Sequence, residues 1–425
     1  MLQVAVIRQE KERVIKALNK KRLFHADQLI DKVLRIDDER KAVQNNLNAL
    51  QTEANEAAKL IPNLMKNGEK EAAEQLKSRS IELKSQIKNL DEQLSGLDQQ
   101  LTQALYELPN LPHESVPEGK TPDDNEVLLS KGSIPKFDFK AAPHWDLIKK
   151  YDIIDFELGN KITGAGFPIY KGKGARLVRA LINFFLDQAT NAGYLEVQAP
   201  LLVNEASAYG TGQLPDKEGQ MYHATADNYY LIPTAEVPIT NLYRDVIIDE
   251  RELPIKNVGY TPCFRREAGS WGAHVRGLNR LHQFDKVEIV QIAHPSNSYK
   301  LHEEMCAHIA ALLESLELPY RILRLCGGDI SFNAALCHDF EVFSAAQERW
   351  LEVSSCSNFE TFQANRLKLR IKDKQNNKVL AHTLNGSALA LPRILAAILE
   401  NNQTANQGIR IPSVLVPYCG FEYIN

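Results

Sequence analysis

A repeating seam of apolar residues in the first quarter of this 425-residue chain limits its possible folds more than any other feature. The seam has two halves: the first runs from residue 29 to residue 64, and the second follows the turn dipeptide Asn67-Gly68 and continues to Leu108. The spacing is the a/d pattern of a coiled coil, interrupted at Arg40. Because two helices of similar length joined by a short turn must run antiparallel, we predict a helical hairpin arm over about 27–107. In its first half, apolar or small residues recur in steps of four and three at positions 29, 33, 36, 43, 47, 50, 54, 57, 61 and 64.

The charge of this arm limits what it can bind. Residues 27–107 carry 11 Lys and Arg against 15 Asp and Glu, which leaves 39 of each sign elsewhere from totals of 50 and 54. The net charge of −4 therefore resides in the arm, and any nucleic-acid contact there must use a local basic patch. A dimerisation coiled coil or a spacer is the commoner role for such a hairpin. The candidate basic residues are Arg35, Lys41, Lys59, Lys77, Arg79 and Lys84.

The pattern changes after residue 107. Residues 108–127 are rich in proline and acidic residues, a composition that resists both helix and strand. We predict an N-terminal domain over 1–107, a linker over 108–127 and a second domain over 128–425. In the second domain, helical patterns near 174–192, 296–317 and 392–402 alternate with short apolar runs at 229–232, 281–292, 320–325, 350–354 and 378–383.

This alternation predicts an α+β domain with an antiparallel sheet and helices packed on it. The sequence has no G-x-G-x-x-G after a strand and no G-x-x-x-x-G-K-[ST], so neither a Rossmann site nor a P-loop is expected. A nucleotide, if one binds, would bind on the sheet. The six cysteines are far apart, without Cys-x-x-Cys pairs, so we expect reduced thiols and no zinc. The N-terminus has no apolar stretch long enough for a signal or a membrane span, and we predict a cytoplasmic protein without membrane or DNA contacts.

One segment, residues 263–288, combines cations, carboxylates and an aromatic ring between two runs that resemble strands. Phe284 lies on the return run, where alternate side chains share a face. A nucleotide, with its phosphates and its base, would match this combination, whereas the simpler interpretation is a solvated hairpin of mixed charge. The planar guanidinium forks, which suit phosphate or carboxylate, belong to Arg265, Arg266, Arg276 and Arg280.

Three further clusters belong to the same domain: TAE at 234–236, EVSS at 352–355, and NGS at 385–387 followed by a helical run with Arg393. Glu352 and Ser355 offer hard oxygen ligands of the kind that Mg²⁺ accepts when it also binds phosphates. A loop carboxylate and a turn serine are nevertheless common by themselves.

Taken together with FRREAG at 264–269 and RLHQFDKVE at 280–288, these motifs resemble those of a bacterial-type seryl-tRNA synthetase, end to end. Residues 171–202 resemble motif 1 of the class II synthetases, which forms a dimer interface. The segment 263–288 resembles motif 2, and Ser387 to Arg393 resembles motif 3. The resemblance implies a six- or seven-stranded antiparallel sheet that carries serine and ATP, together with an N-terminal coiled-coil arm that binds tRNA.

For ATP, the resemblance implies that Arg265 contacts the α-phosphate and the serine carboxylate, while Glu267 contacts the adenine amino edge. Phe284 and Arg393 would enclose the ring, and Arg265 and Arg393 would be the catalytic residues. Glu352 and Ser355 would bind Mg²⁺. The implied ATP-binding set is completed by Arg266, Glu352, Val353, Ser354 and Ser355.

For the amino acid, the resemblance implies a site formed by Thr234, Ala235, Glu236, Arg265, Glu288 and Ser387. The sequence departs from the family pattern at Ala388 and Pro392, where glycines are expected, and at Arg266, where serine is common. His274, on the hairpin loop, is a further candidate for contact with the tRNA end.

The implied partners are ATP, L-serine, tRNA(Ser) and a second copy of the chain, and charging of tRNA(Sec) with serine stays open. The implied reaction is activation of serine to seryl-adenylate followed by transfer to the terminal ribose of tRNA. Two alternatives remain: a relative that loads an amino acid onto a carrier protein, and an inactive paralogue that acts as a scaffold. The long arm argues against the first, and the presence of Arg265, Glu267, Glu352 and Arg393 argues against the second.

Overall fold

The structure, a computed structural model, describes residues 1–267 and 276–425. The chain forms two compact units. The first comprises Met1–Asn19 and Leu23–Pro109, and the second comprises Lys20–Arg22 and Asn110–Asn425. None of the helices in the described ranges is both long and apolar enough to cross a membrane.

The helices are α1 (Val4–Gln9), α2 (Lys11–Lys20), α3 (Ala26–Lys66), α4 (Lys70–Tyr106), α5 (His144–Lys150), α6 (Phe156–Ile162), α7 (Gly172–Asn191), α8 (Glu205–Thr211), α9 (Glu236–Asn241), α10 (Ser298–Ser315), α11 (Thr361–Leu367), α12 (Leu391–Asn401) and α13 (Val416–Cys419). The strands are β1 (Glu126–Lys131), β2 (Ile154–Asp155), β3 (Ile169–Tyr170), β4 (Leu195–Glu196), β5 (Leu202–Asn204), β6 (His223–Ala224), β7 (Tyr229–Leu231), β8 (Ile247–Asp249), β9 (Ile255–Phe264), β10 (Gln283–Ala293), β11 (Tyr320–Arg324), β12 (Leu336–Ser344), β13 (Arg349–Asn358), β14 (Arg370–Lys372), β15 (Lys378–Leu380), β16 (His382–Ala390), β17 (Gln403–Thr404), β18 (Gly408–Arg410) and β19 (Tyr423–Ile424).

Helices α3 and α4 pack against each other along the predicted seam. The turn between them falls at Asn67 and Gly68, where Gly68 has a φ of +83° that suits a residue without a Cβ. The helical hairpin predicted from the heptad spacing is therefore confirmed. The buried seam residues are Val33, Ile36, Val43, Leu47 and Ala57 of α3, and Ala73, Leu83, Leu97, Leu101 and Ala104 of α4.

Arg40, which interrupts the seam, belongs to a charged cluster around a buried carboxylate. Asp37 is only 2% exposed and contacts Arg8 at 2.8 Å, Lys41 at 2.7 Å and Arg40 at 3.2 Å. Burial by itself raises the pKa of this carboxyl group, but hydrogen bonds from the three cations outweigh it and lower the pKa to about 2. The break in the apolar pattern thus accommodates an ion-pair cluster in the first unit.

The second unit is organised around a mixed eight-stranded sheet in the order β1-β11-β12-β13-β16-β10-β9-β4. All neighbours in it are antiparallel except β4 and β9. The expectation of six or seven strands, all antiparallel, was therefore too low by at least one strand and missed the parallel edge pair. Helices α7, α10 and α12 contribute to the main hydrophobic core together with β9, β10, β13 and β16.

Two segments of the sheet region differ from the sequence-based prediction. The run 378–383 was predicted as one strand, but it contains β15 and the start of β16, which lie in different sheets. The NGS cluster at 385–387 lies inside β16, and this strand continues directly into α12. The helix predicted near 392–402 is confirmed as Leu391–Asn401, and Pro392 occupies its first turn, where no backbone donor is needed.

Residues 108–127 are part of the second unit from Asn110 onward. The Asn110 backbone N–H donates to the Phe332 carbonyl at 2.9 Å, and the His113 N–H donates to the Ala335 carbonyl at 2.8 Å. Val116 is 1% exposed. The segment is thus irregular as far as Thr121 and packs along the second unit, but it then forms a 3-10 turn at Pro122–Asp124 and enters β1 at Glu126, which the composition did not predict.

Lys21, in the short connection between α2 and α3, also belongs to the second unit. Its partly buried side chain donates to the carbonyl oxygens of Ser331 at 2.8 Å, Phe332 at 3.2 Å and Ala334 at 2.6 Å. Three carbonyl dipoles thereby replace part of the water around this cation.

Candidate active site

A cavity of about 560 Å³ lies in the second unit and collects most of the predicted site residues. Its lining comes from β10, β13 and β16, from the end of β9, and from the start of α12. The predicted residues that line it are Thr234, Glu236, Arg265, Glu267, Phe284, Glu288, Glu352, Val353, Ser354, Ser355, Ser387 and Arg393.

Two predicted residues do not line the cavity. Ala235 is fully buried at the start of α9 and packs with Ile239 and Val290. The side chain of Arg266 is exposed, and its backbone N–H donates to the Gln220 carbonyl at 2.9 Å. His274, together with the rest of 268–275, lies outside the described residues.

Strand β10 presents a row of functional side chains to the cavity. Phe284, Lys286 and Glu288 are two residues apart, so the pleat directs all three to one face. The Arg265 guanidinium carbon lies 5.2 Å from the centroid of the Phe284 ring, which is cation–π distance. Arg265 Nε also donates to the Pro233 carbonyl at 3.3 Å. A planar cation and an aromatic face are thus held together at one end of the row.

At the other end of the row is a buried charge cluster. The Lys286 ammonium contacts the Glu288 carboxylate and donates to Thr234 Oγ1 at 2.9 Å. Glu288 is fully buried and accepts from Asn385 Nδ2 at 2.8 Å and Ser387 Oγ at 3.5 Å. The carboxylate is therefore oriented by a cation, an amide and a hydroxyl.

A second carboxylate, Glu236, is 5% exposed in the same cavity. Burial and the neighbouring Glu288 raise the pKa of Glu236 to about 7. Its Oε1 accepts from Gln363 Nε2 at 2.5 Å, and Gln363 Oε1 in turn accepts from Thr383 Oγ1 at 2.6 Å. Two carboxylates and one lysine leave this pocket with an excess of negative charge when Glu236 is ionised.

A β-bulge brings Glu352 and Ser355 to the same cavity. Phe340 pairs with Ser354, and Glu341 pairs with Glu352, so Val353 is one extra residue in β13. Side chains three apart on a regular strand point to opposite faces, and the extra residue removes that separation. Glu352 is half exposed, with 49% of its side chain accessible, and its carboxylate can still take a ligand.

Arg393 extends from the first turn of α12 to Glu352 on β13. Its Nη1 donates to the Glu352 carbonyl at 2.6 Å and to the Glu352 carboxylate at 3.3 Å. Its Nε donates to the Asn279 carbonyl at 3.1 Å. The guanidinium is thus fixed between β13 and the segment that leads into β10.

Glu267, just beyond β9, is held from both sides. Its carboxylate pairs with Arg280, and its backbone N–H donates to Gln220 Oε1 at 3.1 Å. Its φ of +49° is unusual for a residue with a side chain, which indicates that these contacts determine the conformation.

Lys286, Asn385, Gln363 and Gln220 are site residues that the sequence-based prediction missed. Lys286 had a signal, because it lies between Phe284 and Glu288 with the same two-residue spacing. Asn385 lies directly before the Gly386-Ser387 pair in a quoted motif. Gln363 and Gln220 belong to segments without motif character; the fold brings Gln220 to the cavity lining and places Gln363 against Glu236.

A separate group of side chains has the composition of a soft-metal site. Donor atoms of His302, Cys306 and His338 lie within 4.8 Å of one another. However, His302 Nε2 donates its proton to the Cys356 carbonyl at 2.9 Å and therefore has no lone pair to offer. We assign the group to the packing of α10 on the sheet, and the expectation of no zinc stays a prediction.

The sheet and its clustered site define a class of enzyme, the class II aminoacyl-tRNA synthetases. The family model of the tRNA synthetase class II core domain (G, H, P, S and T) matches residues 221–402, and that of the seryl-tRNA synthetase N-terminal domain matches residues 1–112. The chain belongs to the seryl-tRNA synthetase family, whose members are ligases that join serine to tRNA.

Individual relatives agree along the whole chain. It is 49% identical over 425 residues to the serine–tRNA ligase of Salinibacter ruber and covers 99% of that protein, and 46% identical to that of Chlorobaculum parvum over its full length. A crystal structure of the Pyrococcus horikoshii seryl-tRNA synthetase complexed with ATP is 33% identical, with a TM-score of 0.91 and 99% of both chains covered. The prediction of a seryl-tRNA synthetase with a helical arm and a class II sheet domain is thus confirmed.

Proposed function

We propose that the cavity binds L-serine at the Glu236–Glu288 end and ATP at the Arg265–Phe284 end, and that it forms seryl-adenylate between them. The observation that carries this proposal is the arrangement of β10, which places an acidic pocket and a cation–aromatic pair four residues apart on one face. Serine carries an ammonium and a hydroxyl, whereas ATP carries phosphates and a flat base. The acidic end of the row suits the ammonium and hydroxyl of serine, and the Arg265–Phe284 end suits the phosphates and base of ATP.

The acidic pocket would recognise the amino acid. An ammonium adds the positive charge that two carboxylates and one lysine lack, and it favours the ionised form of Glu236. The serine hydroxyl would meet polar groups among Thr234, Glu288 and Ser387, which alanine would leave unpaired. A site built to hydrogen-bond a hydroxyl can reject its absence by about 10⁴ to 10⁵.

At the other end, Arg265 would contact the α-phosphate and the serine carboxylate, and Phe284 and Arg393 would enclose the adenine. Glu267 would accept a hydrogen bond from the adenine amino group. Arg393 would stack through its guanidinium plane, whose orientation is set by its bonds to Asn279 and Glu352.

The reaction would consist of two displacements. In the first, the serine carboxylate oxygen bonds to the α-phosphorus while the bond to pyrophosphate breaks. In the second, the terminal ribose hydroxyl of tRNA attacks the adenylate carbonyl, and AMP leaves. Because a carboxylate is already a nucleophile at neutral pH, the first step needs no protein base, and Arg265 and Arg393 would act by positioning and charge neutralisation.

The donor set around Glu352 fits a magnesium ion. The Glu352 carboxylate and the Ser355 hydroxyl are hard oxygen donors on one wall of the cavity, and Asp339 pairs with Ser355 across the strands. Glu352 and Ser355 would hold the ion. When bound, it would neutralise charge on the phosphates of ATP.

The first unit would bind tRNA through the α3–α4 arm, with tRNA(Ser) as the expected substrate and tRNA(Sec) as an open one. Half of the predicted basic residues are engaged within the arm: Lys41 with Asp37, Lys77 with Glu74, and Arg79 with Glu53 and Glu82. Arg35, Lys59 and Lys84 have no ion pair among the described residues. We propose these three for contact with the phosphate backbone.

Two further properties complete the proposal. The motif 1 region carries exposed apolar side chains, with Leu195 66% and Leu202 49% accessible, and a homodimer interface would cover them. The six buried free cysteines suit a reducing compartment, in keeping with the predicted cytoplasmic location.

The decisive experiment is pyrophosphate exchange into ATP with a panel of amino acids. We expect exchange with serine, none with alanine, and loss of exchange in Arg265→Ala. A variant without residues 27–107 should retain exchange but lose tRNA charging. Charging of a carrier protein instead of tRNA would favour the carrier-loading alternative, and an absence of exchange with serine would refute the proposal.

A further inference from the structure

We infer that His144 is a positioning residue for the ATP end of the site, because its ring orients the segment that holds Arg393. The inference rests on the proposed role of Arg393 at the adenine. His144 begins α5, lies outside the cavity lining and is fully buried. Its effect on ATP would therefore be transmitted through other residues.

The two ring nitrogens of His144 have different partners. Nδ1 lies 2.6 Å from Glu400 Oε1, and Nε2 accepts the backbone N–H of Leu278 at 2.8 Å. A carboxylate has no proton to give when ionised, so Nδ1 must be the donor and Nε2 must carry the lone pair. This tautomer is the one that Leu278 requires.

Glu400 is the anchor of the arrangement. It is fully buried and accepts from the His144 ring, from the His144 backbone N–H at 2.8 Å, from Gln347 Nε2 at 2.9 Å and from Ser344 Oγ. Burial by itself would raise the pKa of Glu400, but these donors outweigh it and lower the pKa below its usual value. The carboxylate therefore stays ionised and keeps the histidine tautomer in place.

The path from His144 to Arg393 is short. Leu278 and Asn279 form one 3-10 turn, Gly277–Asn279, in which the Asn279 carbonyl accepts from Arg393 Nε at 3.1 Å. The Asn279 amide also donates to Gln347 Oε1 at 3.0 Å, which links the turn to Glu400 a second time.

Helix α12 carries both ends of this chain of contacts. Arg393 and Glu400 are seven residues apart on this helix, which is two turns, so both project from the same side. The helix that presents the guanidinium thus also presents the carboxylate that fixes its partner segment. A shift of the turn relative to α12 would strain the buried Leu278–His144 hydrogen bond and the partly buried Asn279–Arg393 hydrogen bond.

Close packing at the histidine supports this positioning. Gly277 has a φ of +66°, and a Cβ on it would lie 2.3 Å from His144 Nε2. Only glycine provides both the conformation and the space. The backbone turn is therefore fitted directly against the ring nitrogen that receives the Leu278 hydrogen bond.

Two substitutions of His144 in the full-length enzyme test the contacts of its two ring nitrogens separately. His144→Gln keeps an acceptor at the distance of Nε2, whereas His144→Asn keeps a donor at the distance of Nδ1 and leaves the Leu278 N–H without a partner. We expect His144→Asn to raise the KM for ATP in pyrophosphate exchange by about tenfold, because an unsatisfied buried donor disturbs the turn. The KM for serine should stay nearly constant, and His144→Gln should recover most of the loss.

A double-mutant cycle with Arg393→Ala distinguishes positioning from general destabilisation. If His144 acts through Arg393, the effect of His144→Asn on ATP should largely disappear in the Arg393→Ala background. Equal effects in both backgrounds, or equal effects of the Gln and Asn variants, would overturn the inference. His308→Asn, which alters a largely buried histidine of α10, serves as the control for stability and should leave the KM for ATP unchanged. If Arg393→Ala itself does not affect ATP, the proposed role of Arg393 fails instead.

Discussion

Lys286 contacts the Glu288 carboxylate from two positions earlier on the same face of β10, and 7% or less of either side chain is accessible. A buried pair of this kind costs desolvation, and each partner depends on the other for compensation. The pair therefore serves two purposes: each partner compensates the buried charge of the other within the sheet, and together they contribute to the charge of the proposed serine pocket.

Removing the lysine should reveal the first of these purposes. We expect Lys286→Met to lower the free energy of unfolding by about 3 to 5 kcal/mol, since Glu288 would remain buried without its cation. Urea denaturation measures this. The matched control is Lys131→Met, which breaks a half-exposed pair with Glu314 and should cost about 0 to 1 kcal/mol. Equal losses in both variants would contradict the buried-pair interpretation.

Serine binding should strengthen as pH rises through neutrality. The pKa of Glu236 is raised to about 7, and an ammonium ligand prefers the ionised carboxylate. We expect the KM for serine in pyrophosphate exchange to fall between pH 6 and pH 8, and Glu236→Gln to abolish this dependence. An unchanged pH profile in the glutamine variant would exclude Glu236 as its origin.

The same group should affect stability in the opposite direction. Native Glu236 holds its proton up to about pH 7, whereas its ordinary value is 4.5, so the folded state binds more protons between these limits. Its contribution to stability is therefore present at low pH and is lost as pH rises from 4.5 to 7. Comparing urea midpoints of the parent and Glu236→Gln across this range isolates the contribution.

Magnesium dependence should change when the Glu352 donor is removed. We expect Glu352→Gln to raise the Mg²⁺ concentration for half-maximal exchange by about tenfold or more, because one anionic ligand is lost. Binding of Mn²⁺ with an ATP analogue, measured by electron paramagnetic resonance, provides a readout without turnover. Glu348→Gln is the control on the same hairpin, and a similar change in that variant would argue against the assignment.

The arm should show two classes of basic residue. Charge reversal at Lys59 and Lys84 should raise the KM for tRNA and reduce the salt dependence of binding by about one unit of slope per phosphate contact. Reversal at Lys77, which pairs with Glu74, should have a smaller effect on tRNA. Pyrophosphate exchange without tRNA should be normal in all three variants, and a loss of exchange would contradict the assignment of these residues to tRNA.

Local patterns predicted much of this architecture. The heptad seam predicted α3 and α4 because coiled-coil packing depends on residues three and four apart. The alternation expected on the return run likewise fits β10, where Phe284, Lys286 and Glu288 share the face toward the cavity. Pro392 indicated the start of α12, although the preceding residues proved to be strand.

The remaining features depend on contacts between distant segments. The bulge at Val353 follows from the register of two strands, which no spacing within β13 reveals. Ala235 and Arg266 were assigned to the site as parts of contiguous motifs, but helix and loop geometry direct their side chains elsewhere. Glu400 and His144 are 256 residues apart in the chain, and no spacing in the sequence indicates that their side chains meet.

The ammonium of Lys21, which is bound by three carbonyls of residues 331–334, determines where the protein can be divided. A truncation that starts at residue 110 would remove this cation and expose a loop that lines the cavity. Chimaeras that exchange tRNA arms between relatives should therefore be joined within the arm itself, beyond residue 22 on one side and before residue 110 on the other. The catalytic unit therefore includes Lys21, which precedes the arm in the sequence. A chimaera joined only at the proline-rich segment 108–127 would separate Lys21 from the 331–334 loop that it contacts.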